Sequence, residues 1–156
     1  MTVYCIDTSS LIDAWERHYP IESFPGVWER LAGLVTADRL IAPEEVRHEL
    51  EKKSDGAIRW ARKQKGLFVP MDTAIQTEVG AILSQHPRIV DSKKGRHTAD
   101  PFVIALAKLR AAAVVTQEDL TGKIEVPKIP DVCRALRIDC MKLLSVIRAE
   151  KWVFGA

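Results

Sequence analysis

The chain has 156 residues, 47% hydrophobic and 28% charged, with a formal net charge of +2. That length suits one domain with an ample core, so a single unit over 1–156 is expected. No apolar run approaches the ~18 residues of a membrane span, and no basic stretch followed by an apolar run and a cleavage site opens the chain. A cytoplasmic protein without membrane contact is the resulting expectation.

Residues 2–6 read as a short buried strand, and 9–18 as a helix with Leu11, Ile12 and Trp15 on one face. Pro20 and Pro25 bracket a break, after which Val27, Trp28, Leu31, Leu34 and Val35 recur at helical spacing. RLIAP (39–43) is a second strand closed by Pro43, a residue suited to the first turn of a helix. That helix continues through EEVRHELEKK, and another surrounds Ile58 and Trp60. LFVPM (67–71) reads as a short strand or an extended connector, and Asp72 caps an amphipathic helix reaching about Ser84. A polar, basic loop (86–98) leads into ADPFVIALAKLRAA, a helix with Asp100 as N-cap and Pro101 at its first position. AVVTQ (113–117) is an apolar strand running into polar residues. A short helix after Pro130, a strand near Ile138 and a helix from about Lys142 to Lys151 complete the chain. Strands alternating with helices predict a three-layer α/β/α sandwich around a central, mainly parallel sheet.

Cys5, Cys133 and Cys140 form no CxxC pair and share no ligand spacing with the four histidines, so buried reduced thiols are expected and zinc is not. Trp15 and Trp28 could line an interface, but core burial explains each more simply. The charge of +2 and pI near 8.5 decide little alone. Basic residues do cluster, in RIVDSKKGRHT (88–98) and RWARKQK (59–65), as a polyanion-binding surface or a solvated face would require.

The carboxylates say more. In an open parallel sheet, ligands bind outside the carboxyl ends of the strands. Asp7 ends the first strand, and Glu45 and Glu49 share one face of the helix leaving the second. Asp100 opens the helix that returns to AVVTQ, and Glu118 and Asp119 follow that strand. Each acid alone has a plainer reading, as a cap, a dipole partner or a turn residue. Together they predict one acidic rim. Carboxylates gathered so closely repel unless a cation neutralises them, and oxygen ligands favour Mg2+ or Mn2+ over zinc. Thr8, Ser9 and Thr116 add hydroxyls able to orient carboxylates or water. A metal beside basic loops suits phosphodiester hydrolysis.

These segments resemble a PIN domain, the metal-dependent nuclease fold of VapC-type toxins. YCIDTSSLI resembles its first strand, ending in Asp and then Thr or Ser. LIAPEEVRHEL resembles its second motif, TADPFVIALA its third and VVTQED its fourth. The order and spacing match over roughly 3–120, and the wording of DTSSLIDAW, ADPFVIALA and KIPDVC is closer still to a little-characterised PIN-like family. The resemblance implies an endoribonuclease leaving 5′-phosphate and 3′-hydroxyl ends. Asp7, Glu49, Asp100 and Glu118 would hold Mg2+ or Mn2+, with Thr8 and Thr116 orienting ligands and water. Where relatives carry Asp two residues after the Thr of the last motif, this chain has Glu118 followed by Asp119, and either could complete the set. Asp131, outside the usual toxin pattern, reads as a helix cap or a supplement to the site. Lys93, Lys94 and Arg96, just before Asp100, would grip RNA phosphates. A cognate antitoxin and a homodimer are also implied. The rival reading is a non-catalytic PIN-like module that binds RNA or protein. A haloacid-dehalogenase-type phosphatase is disfavoured, because Ser9 stands where a second Asp belongs.

Overall fold

The structure is a computed structural model and describes residues 1–90 and 98–155. Its centre is a five-stranded sheet: β1 Tyr4–Ile6, β2 Leu40–Pro43, β3 Phe68–Val69, β4 Ala113–Val115 and β5 Cys140–Met141. The order is β3-β2-β1-β4-β5, and every pairing is parallel. β1, β2 and β4 are buried at every residue, because helices cover both faces and no side of these strands meets water. β3 and β5, at the edges, are half-buried.

Eight α-helices are found among the described residues. α1 (Thr8–Asp13), α2 (Pro25–Thr36), α3 (Glu44–Lys53) and α4 (Asp55–Arg62) lie on the connections from β1 to β2 to β3. α5 (Thr73–Gln85) and α6 (Asp100–Leu109) join β3 to β4, α7 (Ile129–Leu136) joins β4 to β5, and α8 (Leu143–Ala149) follows. α3 packs on α1 and α4, whereas α6 packs on α5 and α7. These groups form the outer layers of the α/β/α sandwich, a PIN-like architecture. No helix of the described residues is long and apolar enough to cross a membrane.

The strand order creates the site. The chain leaves β1 toward β2 and leaves β4 toward β5, so the loops after the two central strands diverge and open a crevice at the carboxyl edge. Ile6 pairs with Val115, and Asp7 N still donates to Val115 O at 2.9 Å. Asp7 is therefore anchored by the sheet at the lip of that crevice. At the opposite edge, Arg39 grips Glu150 with bonds of 2.9 and 2.7 Å, and Tyr4 Oη donates to Glu150 at 2.6 Å. This network ties the end of α8 to the start of the sheet.

Several local expectations shift. The helix expected over 9–18 begins at Thr8 and becomes π-helical over Ala14–His18, with Tyr19 N donating to Ala14 O at 2.8 Å. Trp15 lies in this wider turn and meets Trp28 edge-on at 4.9 Å, with Trp60 on Trp28 at 4.8 Å. Trp28 is fully buried in the core, and the half-buried Trp15 and Trp60 pack against it. Pro43 precedes the helix instead of opening it: with ψ of 160° it continues β2 and pairs with Val69. LFVPM does contain a strand. The last strand starts two residues beyond Ile138, because Ile138 N is taken by Cys133 O in closing α7. All three cysteines are free thiols, Cys5 and Cys133 buried and Cys140 partly so.

Candidate active site

Asp7, Glu49, Asp100 and Glu118 line one hollow of about 190 Å3 at the carboxyl edge, together with Thr8, Ser9 and Lys53. These four acids come from the end of β1, the middle of α3, the start of α6 and the loop after β4, and a fifth not singled out from the sequence, Asp13 at the end of α1, also lines the hollow. A larger hollow, about 550 Å3, lies at the opposite edge, but among the described residues Asp139 is its one carboxylate. The chemistry is concentrated in the smaller space.

Asp7 is both helix cap and site residue. Its Oδ1 accepts Ser10 N at 3.0 Å, capping α1, and Oδ2 accepts Thr116 Oγ1 at 2.7 Å. Ser9 Oγ donates to the same carboxylate at 2.9 Å and itself accepts Gln117 N at 3.2 Å. Asp7 is 3% exposed. Burial pushes its carboxyl up to about 6 from an ordinary 3.8 and nearby Glu118 adds to the rise, while the bonds from Thr116, Ser10 and Ser9 oppose it. Its negative charge is thus held where water compensates it poorly.

Glu49 is fixed from both sides. Thr8 Oγ1 donates to Oε1 at 2.6 Å, and Thr98 Oγ1 and Ala99 N donate to Oε2 at 3.2 Å each. This carboxylate links α1, α3 and the start of α6. Asp100 is buried at the first position of α6, with Pro101 second; Ala99, not Asp100, occupies the N-cap position. One residue of difference turns the expected cap into a first-turn acid, favourable beside the helix N-terminus. Glu118 Oε2 accepts Ile129 N at 3.0 Å, so this acid is held by the start of α7.

Other candidates lie elsewhere. Asp119 points away into solvent, 79% exposed, and pairs with Lys142 Nζ at 2.6 Å. That bond holds its carboxyl below the usual carboxylate range. Of the adjacent pair, Glu118 reaches the hollow and Asp119 does not. Thr116 is buried behind Asp7 and acts on it through a hydrogen bond without lining the space. Glu45 shares the face of Glu49 but stops short of the hollow. Asp131 proves to be a cap, its Oδ2 accepting Lys128 N at 2.9 Å. Lys93, Lys94 and Arg96 fall outside the described residues. Lys53 was not anticipated, although its place four residues after Glu49 on α3 aligns the two on one helical face.

Among the described residues the donor set is all oxygen, without thiolate or imidazole, which suits a hard divalent cation. Among the described residues, no group of three His, Cys, Asp or Glu already stands at ion-holding spacing. An ion here would complete its shell with water, as Mg2+ commonly does.

Fold and site define an α/β protein with a parallel sheet and a carboxylate-lined hollow where its strand order reverses. The chain belongs to the family described as a domain of unknown function, DUF4411, whose profile matches residues 4–154. No curated protein matches it.

Proposed function

We propose that the protein is a Mg2+- or Mn2+-dependent endoribonuclease of PIN type. The observation that carries this reading is the convergence of Asp7, Glu49, Asp100 and Glu118 on one hollow at the switch point of the sheet. A divalent cation bound there would neutralise the carboxylates and acidify a bound water. Asp7 is held rigidly by Ser9, Ser10 and Thr116, and Glu49 by Thr8, Thr98 and Ala99, so both oxygen donors are preorganised. The Lys53 ammonium, at the edge of the same space, attracts the phosphate of an RNA strand toward the acids. By resemblance, the reading extends to a toxin whose antitoxin covers this rim, to a homodimer and to a cytoplasmic setting.

The test is cleavage of single-stranded RNA with Mn2+ present, comparing wild type with Asp100→Asn and Asp7→Asn. Turnover should disappear in each variant while the fold persists, and retained cleavage in either removes that residue from the proposal. The rival reading, a non-catalytic RNA- or protein-binding module, draws on the commitment of Glu118 Oε2 to a backbone N–H. A calorimetric titration separates them: cation binding that vanishes with Asp100→Asn supports the enzyme, and no cation binding supports the module.

A further inference from the structure

The longest stretch without helix or strand among the described residues joins β4 to α7 and runs from Thr116 to Lys128. It is closed at its base. Ile129 N, at the first position of α7, donates to Glu118 Oε2 at 3.0 Å. Inside the closure lies Asp131, which is 5% exposed and accepts four hydrogen bonds. Its Oδ1 takes Thr121 N at 3.0 Å and Gly122 N at 2.8 Å. Its Oδ2 takes Thr121 Oγ1 at 2.7 Å and Lys128 N at 2.9 Å. Gly122 makes the enclosing turn with φ of +74°, a conformation that glycine adopts without steric penalty. One carboxylate therefore joins the middle of the loop, its return and the first turn of α7.

We propose that Asp131 is a positioning residue for the acidic hollow: by latching this loop to the start of α7, it fixes Glu118 at the rim. The reasoning follows the bonds. Glu118 is held by Ile129 N, and the place of Ile129 is set by Lys128, whose N–H ends on Asp131. Four converging donors require an acceptor with two oxygens. An asparagine amide offers one oxygen and turns an N–H2 group against donors that cannot reverse, Lys128 N above all. The latch then opens at the end that carries Ile129, and Glu118 loses the hydrogen bond from Ile129 N. This role rests on the proposed use of Glu118 in the hollow, but the latch itself needs no metal.

The test uses the full chain and two measurements. In metal-free protein, Asp131→Asn should speed amide exchange of Ile129 by about ten-fold or more while Val114 and Thr116, whose N–H groups donate to Asp139 O and Met141 O, keep their protection. Unchanged exchange at Ile129 overturns the latch. In Mn2+ titrations, Asp131→Asn should weaken binding by about ten-fold, as for other residues that orient metal ligands. Adding it to Glu118→Gln should cost nothing further, since Asp131 acts through Glu118. Losses that multiply in the double variant overturn the positioning role. If wild type binds no Mn2+, the metal reading fails, and exchange at Ile129 still decides the latch. Thr121→Val, which removes one donor, serves if Asp131→Asn does not fold; it should speed exchange at Ile129 by a smaller factor, and no change overturns the proposal.

Discussion

Replacing Asp7 by Asn should make the metal-free protein more stable at neutral pH, although it removes a central site residue. Burial raises the Asp7 carboxyl from 3.8 to about 6, so ionising it costs the folded state about 3 kcal/mol more than the unfolded chain. The sign follows from the raised value. Between 3.8 and about 6 the native state binds more proton than the unfolded state, so stability falls as pH rises through that window. The full penalty is present above it. Asparagine carries no charge, keeps an oxygen for Ser10 N and can donate to Thr116 Oγ1 once that hydroxyl turns toward Ser9, 3.4 Å away. Rearranging these bonds returns about 1 kcal/mol, leaving a net gain of about 2 kcal/mol. For a chain of this size that raises Tm by about 4–8 °C. Thermal and urea unfolding in EDTA at pH 7.5 and pH 4.5 are the assay. The advantage of Asp7→Asn should shrink by about 2 kcal/mol in acid, a difference in which the hydrogen-bond correction cancels. A variant less stable than wild type at pH 7.5, or an advantage independent of pH, refutes the argument that Asp7 is a strained buried charge.

Other expectations are simpler. Lys53 is exposed at the hollow, so Lys53→Gln should leave folding intact, weaken RNA binding and reduce its salt slope by about 1, with Lys53→Arg retaining most affinity; an unchanged slope in anisotropy titrations removes Lys53 from the RNA path. A Cβ at Gly56 would lie 2.1 Å from Trp15 Nε1, so Gly56→Ala should cost about 1–3 kcal/mol in urea unfolding and alter tryptophan emission. Unchanged stability and emission would mean that Trp15 is not locked in its π-helical turn. Glu150→Gln strips the charge from a pair with Arg39 that is 14% exposed on each side, and should cost about 2–3 kcal/mol at pH 7. The Arg39 bond holds the Glu150 carboxyl below its ordinary 4.5, so its contribution is complete above that value and is lost as pH falls through the folded one. The deficit of the variant should accordingly narrow in acid, as acid-to-neutral unfolding series would reveal.

Much of the architecture was legible because the signals were local. Uninterrupted apolar runs in β1, β2 and β4 marked strands covered on both faces, and alternation with helices implied a parallel sheet. The acids could be assigned to one rim from their places after strands or at helix starts. Local signals failed where two segments compete for the same backbone group: Ile138 looks strand-like, yet its N–H closes α7. They failed also for the π-turn at Trp15, which lies against Gly56, a residue 41 positions away.

The chain alone determined that acidic residues would lie at the carboxyl edge of a parallel sheet, because strand ends and helix starts follow from hydrophobic period and capping chemistry. Only the tertiary structure decided between neighbours. It turned Glu118 toward Ile129 N and Asp119 toward Lys142, set Asp100 inside its helix, and brought Lys53 to the hollow. Adjacent residues on one loop have nearly the same local preferences. Which of them faces the site depends on partners distant in sequence, and those partners exist only once the chain has packed.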